Sequence, residues 1–568
     1  MHNKAARRKA RRWLIVFIIL AVVLFLWAWF RISINVCPPV IADRSPDTLK
    51  VERLSGNLTR CGRSWLKEDT AGLWLMYLRG SPYERGVTNG KLTKTLMYEQ
   101  EKAFVGQIRN MIPSDFYLRF LKYFIYWFNR DLAGYIIPEY KQEIYGISRS
   151  ASDEFSFIGN NYQRMLNYHS AHDIGHALEQ LSLVGCTSFG AWGSSTEDGS
   201  LIIGRNFDFY MGDDFARNKI ICFEQPDHGH AFMLVTWGGM TGAVSGMNEA
   251  GLTVTINAAR SKIPLSARTP VSLLAKEILQ YASTISEAYT IAQKRQTFIS
   301  ESFLIGSAKD GKAVIFEKSP FNIAIVDAGG TSVLCANHFL SPAFTMDPLN
   351  SENIRENASL YRYNRLREDL NAGSLLNVEK AAWILRDRKG WGGIDIGLGN
   401  EKAMNQLIAH HSVIFKPEQL LVWVSTGPWQ LGRYKCFDLR KIFHNFAVSG
   451  QGVEVEDKAK EIPPDSFLKS AEYSAFIEFR DMKRILHEAI KQGRVLPDES
   501  SFITAFINSN PRFYESWYLA AEYYFMLKRP AEARTYYYKA LGCEVPRWQE
   551  KQTIIRRIVE CRERSTRN

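Results

Sequence analysis

The chain has 568 residues, 46% of them hydrophobic and 13% aromatic, so it can bury a large core and is not a disordered protein. Its net charge is +12, but the distribution of this charge argues against a nucleic-acid surface. Much of the excess lies in residues 1–12, and the other cations are scattered among acids. No zinc-type Cys/His spacing, P-loop or dinucleotide-binding glycine motif is present, and we therefore expect no metal and no cofactor.

Residues 13–30 are an uncharged apolar run of eighteen residues, which is about the minimum length for a membrane-spanning helix. Six cations precede the run, whereas only Arg31 and Arg44 follow it closely. The positive-inside rule therefore predicts a single-pass anchor with residues 1–12 in the cytoplasm and the remaining chain on the outer, periplasmic or extracytoplasmic, side. A cleaved signal peptide is the alternative, but no small-x-small site follows the run.

Residues 31–72 are polar and predict a linker, in which Cys37 and Cys61 could pair in an oxidising compartment. Residues 73–185 begin with a strand and are otherwise mainly helical. Five aromatic residues recur there at helical spacing and are predicted to lie in the core: Phe116, Phe120, Tyr123, Phe124 and Trp127. Three histidines could share a helix face, although packing is a simpler interpretation than a metal site, which needs a fourth ligand: His169, His172 and His176.

A β-hairpin opens the strand-rich segment 186–448. Its first arm starts at Cys186, Asp198-Gly199 supply the turn, and the returning arm carries Arg205 and Asp208. The hairpin thus brings together a thiol, a cation and a carboxylate, which are the parts of an activated nucleophile. A buried core cysteine beside an ordinary ion pair is the alternative interpretation.

Blocks of strands over residues 220–258, 302–337 and 411–439 alternate with helical stretches. This order predicts an α+β fold in which two sheets pack face to face between helical layers, a four-layer αββα sandwich. Residues 449–568 form a helical extension whose 517–541 stretch resembles one tetratricopeptide helix pair. One pair cannot bury a core alone, so we interpret the extension as a cap on the main domain, with a surface for a protein partner as the alternative.

Three motifs carry a resemblance over about residues 73–439. They are the glycine-rich run 80–90, the Gly-Cys-Thr sequence 185–187, and the Gly-Arg-Asn-x-Asp sequence 204–208 with the strand 247–257. In this order they resemble the self-processing penicillin acyltransferase family (acyl-CoA:6-aminopenicillanic acid acyltransferase, peptidase C45). That family is a branch of the N-terminal-nucleophile hydrolases and is related to the choloylglycine hydrolases.

The resemblance implies that the precursor cleaves itself between Gly185 and Cys186. Cys186 would then be a new N-terminus, with the thiol as nucleophile and the amine, which titrates near pH ~8, as base. The resemblance further implies that Arg205 is a cation that activates the thiol and that Asp208 anchors the new amine. It also implies that Asn257 is an oxyanion donor, that Asn337 is a second asparagine near the amine, and that Arg362 is a remote substrate-binding arginine. Asn257 and Asn337 could instead be ordinary strand-end and loop residues.

The sequence therefore predicts a membrane-anchored cysteine amidohydrolase or acyltransferase that acts on a small acyl amide, thioester or ester, or on a lipid-like molecule. One alternative is a phospholipase-B-like lipid hydrolase with the same nucleophile. The other is a catalytically inert membrane scaffold that binds a protein partner through its C-terminal helices.

Overall fold

The structure, a computed structural model, describes residues 2–111, 114–170, 185–209, 212–448 and 455–567. Its helices are α1 His2–Ser33, α2 Pro82–Leu92, α3 Lys94–Met111, α4 Asp115–Phe128, α5 Pro138–Ser148, α6 Asn161–His169, α7 Asp213–Arg217, α8 Val271–Tyr281, α9 Ile285–Lys294, α10 Pro348–Glu356, α11 Ser359–Asn371, α12 Val378–Leu385, α13 Leu439–Val448, α14 Ala471–Gln492, α15 Glu499–Ser509, α16 Tyr514–Met526, α17 Pro530–Leu541 and α18 Trp548–Arg567.

The strands of the described ranges are β1 Val51–Ser55, β2 Leu58–Cys61, β3 Ser64–Glu68, β4 Trp74–Gly80, β5 Thr187–Ala191, β6 Ile202–Phe207, β7 Ile220–Pro226, β8 Phe232–Thr236, β9 Ser245–Asn248, β10 Leu252–Ala259, β11 Ser300–Ser307, β12 Lys312–Lys318, β13 Ile323–Val326, β14 Ser332–Cys335, β15 His411–Lys416, β16 Leu421–Ser425 and β17 Tyr434–Asp438. The alternation of strand and helix blocks that the sequence predicted between residues 186 and 448 is confirmed.

Two sheets form the centre of the molecule. The larger has the order β1-β2-β3-β4-β7-β8-β9-β10-β11-β12-β13, and the smaller has the order β14-β5-β6-β15-β16-β17. One apolar cluster draws side chains from both sheets, such as Met233 of the larger and Val422 of the smaller. Other apolar clusters join the larger sheet to α8 and the smaller sheet to α12. The fold is therefore mixed α+β, with apolar contacts between the sheets and between each sheet and helices.

The N-terminal helix α1 contains the run that was predicted to be an anchor. Within its Ala10–Ser33 stretch, the most apolar window of 18 residues has a mean hydropathy of 2.8, and no part of that window is buried. Among the described residues, it is the one helix long and apolar enough to cross a membrane.

Residues 31–72 were predicted to be a linker, but in the structure residues 51–68 form β1, β2 and β3 at one edge of the larger sheet. Every residue of β1 is exposed, so the sequence has no buried alternation there to indicate a strand. The pairing suggested for Cys37 and Cys61 is not formed: Cys37 is exposed, Cys61 is buried, and both are free.

The aromatic residues of α4 also differ from the prediction. Phe116, Phe120 and Phe124 are 84%, 65% and 55% exposed, so their assignment to the core is wrong. Trp127, on the same helix, stacks on Phe30 of α1 with ring centroids 5.7 Å apart. Helical spacing shows that side chains share a face of a helix, but it does not reveal whether that face meets the core.

Candidate active site

The β5–β6 hairpin builds the centre of the site, as the sequence predicted. Ser188 pairs with Arg205 across the two strands, and Cys186, two residues before Ser188, lies on the same face of the sheet. The Arg205 guanidinium consequently reaches the thiol, with Nη2 3.7 Å from Cys186 Sγ. Both side chains are buried. Asp208 follows β6 and is also buried, so the structure brings the three predicted hairpin residues together.

The Cys186 thiol is protonated at neutral pH in the uncleaved chain. Burial raises the pKa of Cys186 to about 11, and the charge of Arg205 opposes this rise without cancelling it. The carboxyl groups of Asp208 and Glu301 raise the pKa further. Because the thiolate is the nucleophile, attack by this sulfur requires a group that accepts its proton.

A row of hydrogen bonds holds Arg205 through its Nη1 atom, whereas Nη2 is the atom that reaches the thiol. Arg205 Nη1 donates to Ser245 Oγ, which lies 2.8 Å from His411 Nε2, and His411 Nδ1 lies 2.9 Å from His410 Nδ1. Burial lowers the pKa of both histidines well below the usual value, so both are neutral. Neutral His411 can accept the Ser245 hydroxyl proton, which leaves that oxygen to accept from Arg205. The sequence analysis missed Ser245 and His411, which carry no local motif.

The buried carboxyl group of Asp208 can pair with a cation. Burial raises the pKa of Asp208 to about 7, although Arg362 and Arg205 lower it. Its Oδ1 has no hydrogen-bond partner among the described residues, while Oδ2 accepts from Gln406 Nε2 at 3.5 Å. The main-chain oxygen of Asp208 accepts the Gly185 N–H at 2.9 Å, so the residue lies directly beside the Gly185-Cys186 junction. A buried carboxyl oxygen without a donor is costly until a positive group reaches it.

Two side chains donate to the carbonyl oxygen of Gly185. Arg362 Nη1 lies 2.9 Å and Gln406 Nε2 lies 2.7 Å from this oxygen. The arrangement has the form of an oxyanion hole on the carbonyl that precedes the thiol. Arg362 was predicted as a substrate-binding residue, whereas Gln406 was missed because it lies in a loop far along the chain, without a recognisable motif.

Gly185 leaves room for the close approach of Gln406. A Cβ atom at this position would lie 2.3 Å from Gln406 Nε2, well inside van der Waals contact. Any larger residue would therefore displace the amide that donates to the Gly185 carbonyl. The absence of a side chain at position 185 thus leaves room for the Gln406 amide beside the junction.

Arg362 also connects the junction to Asn337. Its Nη2 donates to Asn337 Oδ1 at 2.9 Å, and its Nη1 donates to Cys186 O at 2.8 Å. Within the described residues, these and its other partners are neutral acceptors, and this buried guanidinium has no ion-pair partner. An unpaired buried cation favours an anion next to it, which supports the placement of Arg362 where negative charge can develop.

Asn257 lies close to the site but does not contact the Gly185 oxygen. Its Nδ2 donates to Cys335 O and Ala336 O, both at 3.3 Å, and its Oδ1 accepts from Ser188 Oγ at 3.2 Å. The role of Asn257 as an oxyanion donor therefore stays a prediction, with Gln406 as a second candidate.

A cavity of about 760 Å³ opens next to the junction. Gly185, Asn337, Arg362 and Gln406 line its inner end. The cavity is also lined by residues from α14, from the starts of α16 and α18, and from the turns that precede those two helices. A volume of this size is typical of small-molecule sites.

The described histidines do not form a metal site. His169 Nδ1 donates to Met165 O at 2.7 Å, its Nε2 accepts the Thr241 N–H, and burial lowers its pKa to about 4. His172 and His176 lie outside the described residues. Within the ranges that the structure covers, no group of three or more His, Cys, Asp or Glu side chains could hold a metal ion.

The geometry defines the class of site: a buried thiol that follows a carbonyl held by two donors, with a cation and a carboxyl beside it. The family model described as acyl-coenzyme A:6-aminopenicillanic acid acyl-transferase matches residues 194–396 and confirms the resemblance that the motifs predicted. The matched range contains neither the Gly185-Cys186 junction nor Gln406, but it contains five predicted site residues: Arg205, Asp208, Asn257, Asn337 and Arg362.

Similar proteins share part of the chain. An uncharacterized protein of Archaeoglobus fulgidus is 26% identical over 265 residues, which are 44% of this chain and 43% of that protein. The N-acylethanolamine-hydrolyzing acid amidase of Caenorhabditis elegans is 24% identical over 241 residues, 39% of this chain and 61% of the amidase. A solved structure of the Caenorhabditis elegans amidase ortholog is 17% identical, with a TM-score of 0.31, and covers 41% of this chain and 93% of its own. The chain thus spans about half the length of the curated relatives it matches.

Proposed function

We propose that the chain is the precursor of a cysteine N-terminal-nucleophile amidohydrolase or acyltransferase that cleaves itself between Gly185 and Cys186. One observation carries the proposal: the Gly185 carbonyl, which precedes the buried thiol, is held by Arg362 and Gln406. The two sheets and their flanking helices are compatible with the four-layer αββα sandwich of this class.

The self-cleavage step follows from these contacts. The Cys186 sulfur attacks the Gly185 carbonyl carbon, and Arg362 and Gln406 stabilise the oxyanion that forms. The Gly185–Cys186 C–N bond breaks, the nitrogen takes up a proton, and Gly185 remains attached to the sulfur as a thioester. Water then hydrolyses the thioester to a Gly185 carboxylate and the free thiol. Asp208, whose pKa is about 7, is suited to accept the thiol proton in the first step.

The mature enzyme would use the same groups on an external acyl amide. The new α-amino group of Cys186 titrates near pH ~8, so it can take the thiol proton at neutral pH. As an ammonium it can pair with the Asp208 Oδ1, the oxygen that has no hydrogen-bond partner among the described residues. Arg205 Nη2 lies 3.7 Å from Cys186 Sγ and favours the thiolate. The substrate amide carbonyl would take the place of the Gly185 carbonyl, with its acyl group or its amine in the cavity.

We further propose that α1 anchors the enzyme in a membrane, with the catalytic residues on the outer side. The supporting observations are the unburied apolar helix and the exposed phenylalanines of α4, which lies against the end of α1. A reporter fused to the C-terminus should be active only outside the cytoplasm. A mature protein that starts after residue 31 and washes off the membrane in carbonate would show a cleaved signal instead.

The activity can be tested by trapping the acyl-enzyme. The purified mature protein is mixed with an N-dodecanoyl amide, quenched within a single turnover, and digested for mass spectrometry. We expect the dodecanoyl mass on the peptide that begins with Cys186, and neither the adduct nor product from Cys186→Ala. Cys436→Ala, which removes another buried free cysteine, is the matched control and should keep both. Amide turnover without a Cys186 adduct would contradict the proposed nucleophile.

A further inference from the structure

The C-terminal extension forms a wall of the cavity beside the Gly185-Cys186 junction, rather than a separate module. α14 contributes its 476–487 stretch, and the segments around 513–515 and 546–550 complete this wall. The junction lies at the inner end of the same cavity. Any substrate that fills the cavity must therefore touch the extension.

The wall packs directly against the segment 186–448. The Asn510 side chain exchanges two hydrogen bonds with the main chain of Leu398, at 3.1 and 2.8 Å. A Cβ atom on Gly397 would lie 2.3 Å from the main-chain nitrogen of Phe513, so the two backbones touch here. Arg547 pairs with Glu401 at the edge of the cavity. These contacts fix the position of the wall relative to the junction.

The wall presents a row of basic side chains to the cavity. Arg480, Lys483, Arg484 and His487 are spaced by three and four residues, so they share one face of α14. Arg480 is paired with Asp213 and Lys483 with Glu515. Arg484 is 65% exposed and meets only Glu488, 3.7 Å away on its own helix, and His487 has no ion-pair partner in the described part of the chain.

Five acids line the same cavity, and two of them neutralise Arg480 and Lys483 of this row. Three of them are engaged by cations of the same cavity: Asp213, Glu401 and Glu515. Of the other two, Asp481 is exposed on α14, and burial together with Glu401 raises the pKa of Glu550 to about 7. The buried Arg362, which has no ion-pair partner among the described residues, adds a positive charge to the cavity lining.

We propose that the C-terminal extension selects acyl-amide substrates that carry an anionic group, a carboxylate or a phosphate, and that Arg484 and His487 bind this group. The inference rests on the proposed amidase function, because it assigns the substrate class of that site. Phe476 and Phe479 of the same wall supply apolar surface for the remainder of an amphiphilic molecule. Charged side chains at a rim contribute orientation and modest affinity.

The test compares Arg484→Ala/His487→Ala with the wild type, both as full-length, self-processed protein in detergent. Lys491→Ala is the matched control, because Lys491 is an exposed cation of α14 outside the cavity lining. The substrates share one acyl chain and differ in charge: N-dodecanoylglycine, N-dodecanoyl-phosphoethanolamine and N-dodecanoylethanolamine. We expect the double substitution to raise KM about fivefold to tenfold for an anionic substrate, with KM for the neutral one unchanged. The two anionic substrates distinguish a carboxylate from a phosphate.

A direct binding measurement separates failure of this inference from failure of the amidase function. Calorimetry with dodecyl phosphate and with neutral dodecyl glucoside requires no turnover. A weaker Kd for dodecyl phosphate alone in the double variant supports the anion site, even if none of the three amides is hydrolysed. An equal change for both ligands, or no change beyond that of Lys491→Ala, overturns it. Turnover of all three amides with no dependence on charge would retain the function and remove the proposed selectivity.

Discussion

Replacing Gln406 with Ala removes one of the two donors on the Gly185 carbonyl. Loss of one oxyanion-hole donor typically slows a reaction about 10²–10³-fold, which corresponds to about 3–4 kcal/mol. Here Arg362 remains, but its Nη1 is shared among Gly185 O, Cys186 O and Thr187 Oγ1. Because a charged donor stays in place, we expect the lower end of this range, about 10²-fold slower self-cleavage.

The assay follows the loss of full-length chain after a pulse of cell-free synthesis, on denaturing gels. Gln430→Ala is the matched control, since Gln430 is buried and donates to Leu385 O instead of the junction. Asn257→Ala is measured in parallel and should slow cleavage by less than about tenfold, because its amide is engaged by Cys335 O and Ala336 O. If Gln406→Ala cleaves itself at the wild-type rate and Asn257→Ala does not cleave itself, the reasoning is refuted and Asn257 is the oxyanion donor.

Three further predictions concern the surroundings of the junction. In the uncleaved Cys186→Ala chain, the raised pKa of Asp208 adds stability that is complete below pH ~4 and is lost as the pH rises toward about 7. In that chain Asp208 should lower the free energy of unfolding by about 2 kcal/mol between pH 5 and 7 in urea denaturation, and Asp208→Asn should abolish this fall; an unchanged pH profile would contradict a buried, titrating carboxyl. Gly185→Ala should slow self-cleavage about tenfold or more by displacing the glutamine amide, and a wild-type rate would show that the amide is not needed. His411→Ala should raise the thiol pKa of the mature enzyme and slow its alkylation at pH 7 about tenfold, with Gln restoring part of the rate; an unaltered alkylation profile would mean that the imidazole only fills space.

The nucleophile hairpin could be predicted because its signals are local. Asp198-Gly199 mark a turn, and a period of two places Cys186 and Arg205 on one face once the strands pair. The donors around the hairpin could not be predicted in this way. Gln406 reaches Gly185 across 221 residues of sequence, and His411 reaches Ser245 across 166. Such contacts depend on how the two sheets meet, and no spacing rule encodes that.

The exposed apolar side chains of the outer surface could not be predicted from the sequence either. The phenylalanines of α4 have the spacing of a buried face, but they are exposed beside α1. A soluble core and a membrane boundary require the same apolar side chains, so the pattern alone does not distinguish them. The cavity wall contributed by α14 was likewise not predictable, because its position depends on backbone contacts such as Gly397 with Phe513.

The N-terminal sequence of the C-terminal chain in purified, folded protein tests the central claim most directly. We expect two chains on a denaturing gel, of which the larger begins with Cys186, and a single intact chain for Cys186→Ala. A wild-type protein that remains whole while folded, or one that is cut at another bond, would contradict self-processing at Gly185-Cys186.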